Sequence, residues 1–301
     1  MWKPRARTSR TITGTERAGF GGMLKPRTPV SFEFFPPRNE SQKQTLDNTW
    51  RQLAALKPEY FSVTFGAGGS SLDATHQVVL ELQKDSGVPT APHISCKVES
   101  REVLARYLDE YAQAGVKRLV VLRGDRQRDE SVTGSFRYAG DLVSAVREIS
   151  GDQFGIEVGC YPEFHPESVS PQTEMQYFKQ KVDAGATGAI TQYFYNADSY
   201  FRFIDDCQKA GIEIPIRPGV LPITNYKQLM SFSTLCGAEV PQWITKRLEG
   251  YGDDLESIRE FGLEVVTRLC TRLLRGGAPG LHIYTLNQSW ASSELLKRLT
   301  S

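Results

Sequence analysis

Short apolar runs alternate along this chain with longer stretches in which apolar residues recur every three or four positions. The runs predict strands at Val30 to Phe35, Tyr60 to Phe65, Ala91 to Cys96, Arg118 to Leu122, Gly155 to Tyr161, Ala189 to Tyr195, Ile214 to Pro218 and Leu281 to Leu286. Between them, the helical spacing of Leu46, Trp50, Leu53 and Leu56 predicts a helix ending before Pro58. Further helices are predicted over Asp73 to Gln83, Arg101 to Ala114, Tyr138 to Ile149, Gln172 to Ala184, Ala197 to Ala210 and, as a longer helical stretch, Tyr226 to Leu274. Strands that alternate with helices are joined by crossovers and therefore run parallel. Eight nearly continuous apolar strands without a domain break favour a single α/β domain, a closed (β/α)8 TIM barrel, over an open doubly wound sheet.

The first strand contains the most informative stretch, VSFEFFPP at Val30 to Pro37. Pro36 and Pro37 lack backbone donors and stop the ladder, so Glu33 sits near the carboxyl end of a buried strand. A carboxyl that loses hydration there has a raised pKa and can serve as a general acid; alternatively it pairs with a Lys or Arg and ties strands together. In a barrel the chemistry stands where strands end. Those ends carry Glu33, Thr64, His93, Arg123 with Gly124 and Asp125, Tyr161 with Glu163 and His165, Gln192 with Tyr193, and Asn287 after Tyr284. Each has a structural excuse, such as a hydrogen-bonded shell role for His93 or a local ion pair between Arg123 and Asp125. Their convergence points to a ligand or catalytic site at the barrel mouth.

Composition narrows the chemistry. A net charge of +1 gives no global reason to expect nucleic acid or membrane surfaces as partners, and no apolar run approaches the roughly 18 residues of a membrane helix. Cys96, Cys160, Cys207, Cys236 and Cys270 are odd in number and form no CxxC pair, which fits a reducing cytosol rather than a disulfide framework or zinc site. The four histidines show no metal-ligand spacing, and G-x-S-x-G and G-x-G-x-x-G are absent, so a metal, an acyl-transfer nucleophile and a Rossmann fingerprint are not expected. Residues 1–27 carry seven Lys or Arg against Glu16 and read as a flexible basic tail; they share the Arg-rich composition of a transit peptide but lack its apolar face. There remain one candidate acid, a second carboxylate, and groups suited to an extended anionic cofactor. Arg123, His165 and Lys181 could face phosphates, and Tyr138 and Tyr161 a flat ring.

At these residues the chain resembles the methylenetetrahydrofolate reductases. SFEFFPPR (31–38), SVTFGAGG (62–69), THxxV (75–79), APHISC (91–96), LRGD (122–125), YPEFHPES (161–168), KVDAGATGAITQYFY (181–195), PGVLPITNYKQ (218–228) and HIYTLN (282–287) follow the family in order. The resemblance implies an FAD-bearing barrel over 28–301 that reduces 5,10-methylenetetrahydrofolate with NADH or NADPH by ping-pong hydride transfer, supplying methyl groups for methionine synthesis. It makes Glu33 the general acid and Asp125 the carboxylate near pterin and flavin. It places Thr64, His93, Arg123, Gly124, Asp125, Tyr138, Ala139, Tyr161, His165, Glu174 and Lys181 at FAD, and Thr64, Gln192, Gln228, Phe232 and Gln288 at the folate or nicotinamide. Plain helix core is the other reading of Phe232. Two departures stand out: Glu174 replaces a common Asp, and Gln288 stands where relatives carry Arg or Lys. The expected protein is a cytosolic homo-oligomer without a regulatory domain. Another barrel flavoprotein of proline dehydrogenase type, a barrel lyase and a non-catalytic folate or flavin binder are the competing readings.

Overall fold

The computed structural model describes residues 28–65, 72–124 and 135–300. The basic segment 1–27, the glycines of the GAGG stretch and Asp125 lie outside them. The described chain forms β1 (Val30–Phe34), α1 (Glu40–Ala54), β2 (Tyr60–Val63), α2 (Leu72–Asp85), β3 (Thr90–Ser95), α3 (Arg101–Gln113), β4 (Arg118–Leu122) and α4 (Ala139–Ser150). It continues through β5 (Gly155–Cys160), α5 (Pro171–Asp183), β6 (Gly188–Thr191), α6 (Ala197–Lys209), β7 (Ile216–Arg217) and β8 (Gly219–Val220). The helices α7 (Tyr226–Cys236), α8 (Gln242–Tyr251) and α9 (Leu255–Arg275) precede β9 (Leu281–Tyr284) and α10 (Ser289–Thr300).

All strand pairs are parallel, in the order β7-β6-β5-β4-β3-β2-β1-β9-β8. Since β7 and β8 are the two halves of one stretch, this order describes a ring: a (β/α)8 barrel whose seventh stave is interrupted at Pro218. The sequence predicted that stave as one strand ending at Pro218. Proline has no N–H to give the ladder, so the strand breaks there and continues beyond it. Before the break β7 pairs with β6, and after it β8 pairs with β9. The Pro218 carbonyl still accepts from His282 N–H at 3.0 Å. Gly219 is required at this crossing, because a Cβ there would lie 2.2 Å from the Thr191 carbonyl oxygen. Its N–H instead donates to Thr191 Oγ1 at 2.9 Å.

Helix starts follow the capping residues. Asn39, Ser100, Ser170 and Asn225 each accept a backbone N–H two or three positions inside α1, α3, α5 and α7. The helices predicted from Tyr226 to Leu274 are three, since Gly237 adopts φ 70° and Gly252 φ 56°, conformations that stop a helix. No helix among the described residues is long and apolar enough to cross a membrane.

Strand alternation divides the interior into two cores. Outward positions such as Phe32 and Phe34 are fully buried under the helices and pack on Phe61 with ring centroids 6.4 and 5.0 Å away. Each such ring contributes roughly 2–3 kcal/mol of burial. Inward positions build the lumen. Tyr60, Ala91, Val120 and Ile190 form an apolar layer, and beneath it Glu59 bridges Arg118 at 2.8 Å and Arg217 at 2.7 Å while Arg118 also pairs with Glu157. This ionic plug fills the amino-terminal end of the barrel, and the Arg118 guanidinium lies 4.4 Å from the Tyr60 ring centroid. The opposite end holds a cavity.

Candidate active site

A cavity of about 350 Å³ opens at the carboxyl ends of the strands. Eight residues singled out from the sequence stand in its wall: Glu33, Thr64, His93, Gly124, Tyr161, Gln192, Tyr193 and Phe232. They come from β1, β3, the segments after β2, β4, β5 and β6, and helix α7, so the closed ring is what brings them together. Phe232 is half-buried, with the α7 core behind it and the cavity in front.

Glu33 is the half-buried position of an otherwise buried strand. Its partners among the described residues are imidazoles rather than Lys or Arg. Glu33 Oε2 lies 3.3 Å from His282 Nε2 and 3.4 Å from His93 Nε2. Only the first contact has hydrogen-bond alignment, leaving His93 Nε2 a buried nitrogen without a hydrogen-bond partner among the described residues. Burial lowers the His93 pKa to about 4 against the opposing pull of Glu33, with His282 adding to the lowering. His93 is therefore neutral at physiological pH. Thr64 Oγ1 is a second buried polar atom without a hydrogen-bond partner among the described residues.

Beside the cavity, the segments after β4 and β5 and the helices α4 and α5 carry the residues assigned to the anionic part of a cofactor. Arg123 Nη1 pairs with Glu167 at 2.8 Å. Tyr161 and His165 meet edge to face with centroids 4.8 Å apart, and Tyr138 stacks on Tyr177 at 5.5 Å. Glu174 is buried and hydrogen-bonded to Ser168. Ala139, also buried, opens α4, whose first turn is closed by the Tyr138 N–H on Asp141 at 3.0 Å. Lys181 Nζ donates to the Gly159 carbonyl at 2.5 Å, and no carboxylate of the described residues lies within ion-pair distance of it. Desolvation lowers its pKa against the opposing pull of Cys160 and Glu174, with nearby Arg123 adding to the lowering. Gly124 turns the chain here at φ 81°, and a Cβ on it would press on Ser95 at 3.2 Å.

Gln228 and Gln288 lie outside the cavity wall, the former half-buried in the first turn of α7 and the latter exposed. Asn287, read as another polar strand end, is a structural clasp on Phe35. Ser95, Lys97, Cys236 and Tyr284 line the cavity without having been singled out for it, and His282 touches the candidate acid. Alternation could have found His282: Leu281 and Ile283 are the apolar outward positions of LHIY, so His282 and Tyr284 face inward beside Ser31 and Glu33.

The Methylenetetrahydrofolate reductase family model matches residues 23–300. The chain is 40% identical over 266 residues to the 5,10-methylenetetrahydrofolate reductase of Pectobacterium carotovorum, covering 88% of each protein, and 38% identical to that of Escherichia coli, covering 86% of each. It is 35% identical to methylenetetrahydrofolate reductase (NADH) 1 of Arabidopsis thaliana, over 91% of this chain and 48% of that one. In fold it is similar, with a TM-score of 0.65 at 17% identity over 91% of this chain and 94% of the other, to an uncharacterized protein from Clostridium thermocellum that binds two copies of 5-methyl-5,6,7,8-tetrahydrofolic acid. With nearly the whole described barrel matched, and the acid-bearing strand and the cavity inside the matched region, the chain belongs to the methylenetetrahydrofolate reductase family.

Proposed function

We propose that this protein reduces 5,10-methylenetetrahydrofolate to 5-methyltetrahydrofolate with NADH or NADPH through bound FAD, the two substrates using one cavity in turn. The observation that carries the reading is the Glu33 carboxyl, fixed by His282 and facing a cavity whose wall also holds Gln192 and Phe232. Family membership supplies the reaction class, and a relative named for NADH supports a nicotinamide donor.

The residues present fit FAD. His93 Nε2 and Thr64 Oγ1 are buried polar atoms at the cavity wall without a hydrogen-bond partner among the described residues, and Lys181 and the Glu167-paired Arg123 stand beside it. His93, Thr64, Gly124 and Tyr161 would hold one flat ring, Tyr138 could face another, and Arg123, Ala139, His165, Glu174 and Lys181 would hold the ribose and phosphate portion. When bound, FAD supplies the carrier that takes hydride from the nicotinamide and gives it to the folate. Glu33 delivers a proton to the folate nitrogen that leaves as the five-membered ring opens to the 5-iminium cation. His93, neutral at working pH, adds no positive charge against that cation. Gln192 and Phe232 orient whichever ligand is present, and Gln228 and Gln288 supply further folate contacts from the rim. Asp125, one residue beyond Gly124, is assigned to the developing positive charge on family resemblance.

The purified protein should be yellow, with a flavin spectrum that bleaches anaerobically on addition of NADH or NADPH and recovers on addition of methylenetetrahydrofolate. Initial-velocity plots should give parallel lines. A protein that takes up no FAD would overturn the reading, and intersecting lines would overturn the shared cavity.

A further inference from the structure

Ser31, Glu33 and His282 form one hydrogen-bonded row where β1 and β9 meet. The register pairs Ser31 with His282 and Glu33 with Tyr284, so the imidazole stands between successive inward side chains of β1. Ser31 Oγ is 2.7 Å from His282 Nδ1, and His282 Nε2 is 3.3 Å from Glu33 Oε2. The ring has no exposed surface. Tyr60 stacks on it at 6.1 Å and Tyr284 meets it edge-on at 5.3 Å, which leaves it one orientation.

A general acid occupies two protonation states in every cycle, and a rigid neighbour suited to one state opposes the other. Protonated Glu33 needs an acceptor at His282 Nε2; the carboxylate needs a donor there. A neutral imidazole provides either by choice of tautomer, provided that its other nitrogen meets a group able both to donate and to accept. The Ser31 hydroxyl is such a group. The two arrangements of the row differ by one proton, the one that Glu33 gives to the leaving nitrogen. His93, the other imidazole at Glu33, lacks the alignment to do this.

We propose that His282 is a positioning residue for the acid: with Ser31 behind it, it holds the Glu33 carboxyl toward the cavity and matches its hydrogen bonding in both protonation states. The proposal rests on Glu33 being the acid, as assigned above.

The test uses the flavin-loaded protein and follows each half-reaction by stopped-flow absorbance. His282→Gln, which keeps a donor near the Nε2 position, is expected to slow flavin reoxidation by methylenetetrahydrofolate about tenfold while flavin reduction by NADH stays within about threefold. His282→Leu fills the space without a hydrogen bond and should slow reoxidation further. Ser31→Ala should act in the same direction more weakly. A readout independent of turnover is ¹⁵N NMR of imidazole-labelled protein, in which the His282 nitrogens should shift between wild type and Glu33→Gln. Equal loss in both half-reactions with a disturbed flavin spectrum, equal rates for the Gln and Leu variants, or His282 resonances that ignore Glu33→Gln would overturn the proposal. A Glu33→Gln protein with undiminished reoxidation would instead remove the acid and its partner together. Wild-type protein that no folate reoxidises would remove the functional reading itself.

Discussion

The side chain of Asn287 grips the backbone of Phe35 at two points: Oδ1 accepts from the Phe35 N–H at 3.1 Å and Nδ2 donates to the Phe35 carbonyl at 2.9 Å. Phe35 is where Pro36 and Pro37 end the β1 ladder, so the amide replaces the strand partner that the prolines deny. Asn287 sits at φ 55°, a left-handed conformation that asparagine tolerates better than most residues. Asn287→Ala should cost about 2 kcal/mol in urea unfolding, because two backbone groups lose their partners. Asn287→Asp, which keeps only the acceptor, should fall between that variant and wild type. A change within error of zero would mean that water replaces the clasp.

Glu33 is assigned to one half-reaction only. Flavin reduction by NADH has no leaving nitrogen to protonate, whereas opening of the folate ring does. Glu33→Gln should therefore reduce its flavin within about tenfold of wild type yet lose roughly 10²-fold or more in reoxidation by folate. Equal losses would make Glu33 an organiser of the flavin pocket.

Lys181 presents an ammonium bound to the Gly159 carbonyl and to no carboxylate of the described residues. If it waits for the phosphates of FAD, Lys181→Ala should purify with little flavin and need at least about tenfold more FAD for half-saturation, an effect of roughly 1.4 kcal/mol. Thermal unfolding of the flavin-free variant should match flavin-free wild type. Unchanged FAD affinity with reduced stability would move Lys181 to a purely structural role.

His93 makes a pH prediction with a definite sign. Its pKa is lowered from 6.5 to about 4 in the folded protein, chiefly by burial. Between these values the unfolded chain binds the extra proton and the folded chain does not, so stability is full above about pH 6.5 and falls as the pH drops toward 4. The loss attributable to this residue is up to roughly 3 kcal/mol. Urea unfolding of wild type and His93→Gln from about pH 7.5 to about pH 4.5 should show a shallower decline for the variant. Parallel declines would assign the acid sensitivity to other groups.

The alternation of elements was legible in the sequence because parallel strands and their covering helices have different apolar periods, and helix starts at Asn39, Ser100 and Ser170 are signalled by their caps. The continuation of the seventh strand past Pro218 was not, because a proline normally ends a strand, and only the closed ring shows β8 pairing beyond it. Strand ends located the site, since chemistry in a barrel stands there. They also drew attention to Asn287, whose polarity serves the backbone. His282 was passed over because it lies one layer below the strand end and its partner is separated from it by most of the sequence. Inward alternation on β1 and β9, taken together, contains that pairing.

The contact between Ser31 and His282 spans 251 positions of sequence and lies in the row that holds the proposed acid. A ribosome releases the first strand long before it makes the last, and until β9 is inserted beside β1 there is no imidazole next to Glu33. Neither a nascent chain nor a fragment clipped within α9 can assemble this row, however native the rest of its staves. With Glu33 as the proposed acid, its setting is complete only when the β9 stave is in place, which makes activity a report on barrel closure.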